Sequence, residues 1–136
     1  MSESNRRFVL TVLSESLAIA RLPADSALPL WATHGQFFSV TRTPDELSVV
    51  CSPDHIPAGV AAETGWRTLK VKGPFALSEV GVLATLSVAL AAAGVSLFAI
   101  STFDTDYLLV HEKQMPAAIT ALRSAGHRVV HGATVS

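Results

Sequence analysis

The sequence predicts an α+β protein built from two small related units with antiparallel sheets. Three observations predict it. Short apolar runs of strand length alternate with short helical patterns along the whole chain. The second half reads β-α-β-β-α-β, and the first half repeats that order in compressed form. The length, 136 residues, fits one domain or two very small ones at about 100–200 residues per domain.

The elements follow in order. Phe8 to Leu13 comes after Arg6 and Arg7 but is too short for a signal-peptide core, so it reads as a first strand. Leu17 to Leu22 is a second strand, and residues 26–33 hold a short helix or turn. Phe37 to Thr43 and Leu47 to Cys51 are strands joined tightly through Pro44-Asp45-Glu46. Ser52-Pro53-Asp54 opens a short loop or helical turn reaching about Val60, and the segment ends near Glu63-Thr64-Gly65. Trp66 to Lys72 alternates as a strand with one buried face, and Gly73-Pro74 breaks it. Ser78 is the N-cap expected for a helix from about Glu79 to Ala93, with an apolar stripe of Val82, Leu83, Leu86, Leu90 and Ala93. Val95 to Thr102 and Tyr107 to His111 are strands separated by Asp104-Thr105-Asp106. Pro116 sits just inside the next helix and Gly126 just past it, and Arg128 to His131 is the last strand. Two units result, residues 1–63 and 64–136, with no linker. Residues 8–13 are surplus to the first and are expected to pair across the boundary.

Composition narrows the function. The chain is 49% hydrophobic and 15% charged, which excludes disorder. Ten Lys and Arg against eleven Asp and Glu give a net charge of −1, so no basic footprint for nucleic acid or an anionic membrane surface exists. The mean hydropathy of +0.41 is high for a soluble chain, and Val80 to Phe103 carries no charge. Gly94 divides that stretch, and the residues after it turn β-branched and aromatic. A buried helix followed by a buried strand is therefore expected rather than a membrane span. Cys51 is the single cysteine, which permits no internal disulfide and suits the reducing cytoplasm. The side of the 79–93 helix away from the stripe (Thr85, Ser87, Ala89, Ala92) is small and uncharged. It is expected to be covered by the first unit or by a second chain, hence a homo-oligomer, most simply a dimer.

Catalytic signals are thin. Asp104-x-Asp106 has the chemistry of a carboxylate pair or a Mg²⁺ site, but no phosphate loop or third acidic cluster accompanies it. The histidines at 34, 55, 111, 127 and 131 show no metal-ligand spacing. No cofactor, metal or enzymatic role is expected.

Three stretches carry a resemblance: TRTPDELSVVC at 41–51, GWRTLKVKGPFALSEVGVLATL at 65–86 and AGVSLFAISTFDTDYLLV at 93–110. With the β-α-β-β-α-β order they resemble tandem ACT domains, ferredoxin-like amino-acid-binding modules, and specifically the CASTOR-like arginine-sensor group with its small bacterial relatives. The resemblance implies two tandem ferredoxin-like units and a non-catalytic sensor with its ligand, an amino acid, at an interface between them. It also implies contacts from the loop Gly73 to Gly81, from the S-T-F-x-x-D turn and from a Ser-Val pair in the other unit. Those positions are Gly81 and Val82, then Thr102, Phe103 and Asp106, then Ser48 and Val49. The implied chemistry puts the ligand's carboxylate on backbone N–H groups at the helix start and its cationic group on Asp106. A position that is aromatic in arginine sensors is Thr105 here, which implies a pocket of different size. The alternative is a ligand-free protein-interaction or dimerisation module. From the residues alone, Asp104 and Asp106 are also ordinary turn formers, and Ser48-Val49 ordinary strand.

Overall fold

Alternating and β-branched runs become strands, and the two stretches with helical spacing become helices. The computed structural model describes residues 6–73 and 81–132. In chain order these hold β1 (Val9–Val12), β2 (Leu17–Leu22), β3 (Ser39–Arg42), β4 (Leu47–Cys51), β5 (Ala61–Val71), α1 (Val82–Ala92), β6 (Phe98–Ser101), β7 (Asp106–His111), α2 (Met115–Ser124) and β8 (Arg128–His131). The architecture is mixed α+β of the ferredoxin-like kind, with eight strands and two α-helices among the described residues. It divides into two compact units, one of residues 15–66 and one of residues 1–14 and 67–136.

In the 15–66 unit the strand order is β3-β4-β2-β5, all antiparallel. The Pro44-Asp45-Glu46 connection works through Thr43. Its hydroxyl accepts from the Asp45 and Glu46 N–H groups at 3.1 Å each, the local side-chain turn that Thr provides. The core gathers Ala20, Ala32, Leu47, Val49 and Cys51. Where a short helix or turn and a short loop or helical turn were expected there are 3₁₀ turns, Leu30–Thr33 and Pro53–His55. Proline at 29, 53 and 57 withholds backbone donors and confines these stretches to single turns.

One expectation fails here. Glu63-Thr64-Gly65 does not end an element, because β5 runs through it for eleven residues. Between Leu17↔Trp66 and Ile19↔Glu63 the register slips by one residue, and Gly65 takes φ +82°. That is a β-bulge using glycine in the left-handed region, which absorbs a residue instead of turning the chain.

In the other unit the order is β8-β1-β5-β7-β6. The surplus strand finds its place here. β1 lies between β8 and β5, parallel to the first and antiparallel to the second. Residues 8–14, counted with the N-terminal unit on sequence grounds, thus pack with the later part of the chain. One core joins Leu10 and Val12 of β1 to Leu69 and Val71 of β5, Val82, Leu86 and Leu90 of α1, Leu108 and Val110 of β7, and Leu122 of α2. α1 spans Val82–Ala92 with Gly81 before it, while the expected cap Ser78 and Glu79 lie outside the described residues. Gly94 closes the helix at φ +73°. On the small-residue side of α1, Thr85, Ser87 and Ala89 are half-buried and Ala92 is exposed; Val88 beside them is 69% exposed. No helix among the described residues is long and apolar enough to cross a membrane.

Candidate functional site

The S-T-F-x-x-D segment is a closed turn joining β6 to β7. The Thr102 N–H donates to the Thr105 carbonyl at 2.8 Å, and the Thr102 hydroxyl donates to the same oxygen at 3.0 Å. Thr105 is buried, and its hydroxyl donates to the Val71 carbonyl at 2.7 Å, pinning the turn to the end of β5. This gives Thr105 a structural reason beyond pocket size, since an aromatic ring cannot make that bond. Phe103 stands at the tip, 77% exposed. Asp106 begins β7 half-buried, directly across from Ser101, whose hydroxyl donates to its Oδ1 at 2.6 Å. Ser101 holds one carboxylate oxygen in place and the other is available to a cation. The sequence reading missed this orienting residue, although the hairpin register that sets Ser101 opposite Asp106 is its signal.

Gly81 and Val82 form the start of α1. Gly81 takes φ +85°, a conformation that side chains resist, and among the described residues no side chain caps the helix. Its carbonyl accepts the Thr85 N–H at 2.9 Å, the first helical bond. The first-turn N–H groups and the positive end of the dipole make this start suited to an anion. Val82 commits its side chain to the core and so offers a ligand only its backbone. The rest of the loop, residues 74–80, lies outside the described residues.

Ser48 and Val49 sit on β4 of the 15–66 unit. Val49 is fully buried in that unit's core, and Ser48, half-buried, pairs with Arg21 on β2 and Thr41 on β3. The structure therefore groups Thr102, Phe103 and Asp106 in one turn and Gly81 and Val82 at one helix start, all in one unit, with Ser48 and Val49 in the other. No group of three or more metal-ligating side chains gathers among the described residues.

A family model of the ACT domain matches residues 61–124. A second model, for an N-terminal domain, matches residues 15–59. Protein Atu0741 from Agobacterium tumefaciens is 40% identical over 96% of this chain and 98% of its own, with a TM-score of 0.89. The chain belongs to one family with that protein, and its residues 61–124 carry the ACT-domain match. The chain is also similar to the regulatory subunit of aspartate kinase from Thermus thermophilus, at 12% identity and a TM-score of 0.59 over 82% of this chain and 93% of that one. The aspartate kinase of Clostridium acetobutylicum matches at 11% identity and a TM-score of 0.64, over 85% of this chain and 34% of its own. At such identities the likeness is one of fold.

This ACT-domain protein has a further polar group that sequence reasoning passed over. His127, just before β8, is 5% exposed, and its Nδ1 accepts the Phe8 N–H at 3.1 Å. Its ring stacks on that of Phe8 at 5.6 Å between centroids. Burial, and then the nearby Arg7 guanidinium, hold the imidazole pKa below its usual value. A lone histidine at a helix–strand junction carries no sequence signal, because its partner is 119 residues away.

Proposed function

We propose that this ACT-domain protein is a non-catalytic regulatory sensor of the CASTOR-like type that binds an amino acid. Each of its two units, 1–63 and 64–136 in the sequence, is on this reading an ACT-type module, the first with its helices reduced to turns. The single observation that carries the reading is the hairpin start, where Ser101 holds the Asp106 carboxylate beside a hydrogen-bond-closed turn. An oriented carboxylate suits a ligand ammonium or guanidinium. The start of α1 at Gly81 and Val82 suits the ligand's carboxylate. Thr102 and Phe103 supply main-chain carbonyls, and Ser48 and Val49 enter on the strength of the resemblance. The small, uncharged side of α1 supports a homodimer, and the single buried Cys51 agrees with a cytoplasmic setting.

Isothermal titration with the twenty amino acids tests the reading. One of them binds more tightly than millimolar, and it raises the melting temperature because it binds only the native state. A charge-assisted hydrogen bond contributes about 1.5–3 kcal/mol, so Asp106→Ala weakens that binding roughly ten- to hundredfold. Absence of any binding refutes the sensor and leaves a dimerisation module. Equal binding by Asp106→Ala keeps the class and refutes the site.

A further inference from the structure

We propose that His34 and His55 form a two-histidine site for a divalent transition-metal ion on the surface of the 15–66 unit. Their spacing in the sequence has no metal pattern, but the fold brings the two imidazoles to 5.2 Å between ring centroids, with 28° between their planes. A zinc-like ion binds an imidazole nitrogen at about 2.0–2.1 Å, and that nitrogen lies about 1.2 Å from the ring centroid, so ion and centroid are about 3.2 Å apart. Two imidazoles at the tetrahedral angle then have their centroids about 5.2 Å from each other. The pair already stands at the separation that a shared ion imposes. Both residues are exposed, so each ring turns about its side-chain bonds to aim a nitrogen at the ion without disturbing the core. Neither residue belongs to the proposed amino-acid site.

The backbone holds that separation. His34 follows the 3₁₀ turn Leu30–Thr33, and His55 ends the turn Pro53–His55. Ala32 of the first turn is fully buried in the core that Trp31 and Ile56 also pack against, so both turns are anchored to one set of side chains. The Ala32 N–H donates to the Pro29 carbonyl at 3.1 Å and the Ile56 N–H to the Pro53 carbonyl at 3.3 Å, which closes each turn. Donors held in place in this way lose little freedom on binding. The donor set chooses the ion. Imidazoles suit Cu²⁺, Ni²⁺ and Zn²⁺, whereas Mg²⁺ and Ca²⁺ take oxygen ligands. Asp54, exposed and adjacent to His55 in the chain, adds a negative charge that favours a dication. No group of three metal-ligating side chains forms among the described residues, so water fills the remaining positions and the ion exchanges with solvent.

The test titrates ZnCl₂, CuCl₂ and MgCl₂ into the full-length chain, free of any histidine tag, in neutral buffer. Calorimetry follows all three ions, and the NMR signals of the histidine rings follow Zn²⁺. Zn²⁺ shifts the His34 and His55 signals together, at concentrations that leave those of His111 and His131 in place. Cu²⁺ binds more tightly than Zn²⁺, and Mg²⁺ does not bind at these residues. His34→Ala and His55→Ala, each made at an exposed position, weaken Zn²⁺ binding roughly ten- to hundredfold, whereas His131→Ala leaves it unchanged. Zn²⁺ raises the melting temperature of the parent and not of either single variant. The proposal is overturned if the exposed histidines all shift alike, if either single variant binds Zn²⁺ as the parent does, or if Mg²⁺ displaces Zn²⁺ from the pair.

Discussion

Lowering the pH through the titration of His127 loosens the junction between β1 and β8, and the size of the effect follows from one hydrogen bond. With the ring neutral, Nδ1 accepts the buried Phe8 N–H at 3.1 Å. Protonation turns that acceptor into a donor facing a donor, with the Arg7 guanidinium nearby and Arg6 over the Phe8 ring. Leaving the Phe8 N–H unsatisfied costs about 1–3 kcal/mol. For a chain of this length each kcal/mol moves the melting temperature by about 3–5 °C. His127→Phe, which keeps the stacked ring and removes the acceptor, thus melts about 3–15 °C below the parent at alkaline pH. The sign of the pH dependence follows from the folded pKa lying below the usual 6.5. Above 6.5 the ring is neutral in both states and the bond contributes in full. As pH falls below 6.5 the unfolded chain takes up a proton that the folded chain resists, so stability declines until the folded ring is also protonated. Melting both proteins by circular dichroism between about pH 8 and pH 5 gives a gap that is constant at the alkaline end and closes toward the acid end. A gap that does not change with pH, or an NMR titration with His127 protonating above 6.5, would falsify the reasoning.

Three further outcomes are expected. Gly65→Ala forces a side chain into the left-handed region at the β5 bulge and lowers stability by about 1–2 kcal/mol, measured by urea unfolding. Thr105→Val keeps the shape but leaves the Val71 carbonyl without its hydroxyl donor. It costs about 1–3 kcal/mol in the same assay, and an unchanged midpoint would show that the turn is not held this way. Cys51 is buried and burial pushes its thiol pKa up, so the native protein does not react with Ellman's reagent until it unfolds.

What the sequence made legible was the local part of the fold. β4 and β8 begin and end at the residues that alternation and turn signals select, Leu47 to Cys51 and Arg128 to His131. Pro116 and Gly126 bracket α2 as their backbone chemistry requires. The failures share a cause. Glu63-Thr64-Gly65 has the composition of a turn, and only the pairing of β5 with Leu17 and Ile19 makes it a bulge. β1 has an ordinary strand pattern that says nothing about which strands will flank it. At the candidate site, Asp106 was legible through its turn, whereas Ser101 needed the hairpin register and His127 needed Phe8. Partners distant in sequence leave no trace in local pattern.

The position of β1 also constrains the order in which this protein can be made. Val9 pairs with Arg128 and Val12 with His131, so β1 leaves the ribosome 119 residues ahead of the strand it lies beside. At about 5–20 residues per second, β1 waits several seconds with one long edge unpaired. Its antiparallel partner β5 arrives midway and offers an earlier mate. Contacts this far apart in sequence slow folding, because a large loop must close before they form. The same arrangement decides how the chain tolerates shortening. Removing residues up to Ser14 takes out a central strand between β8 and β5, and the remaining chain then has to bring two unmatched strand edges together or leave both open to another molecule.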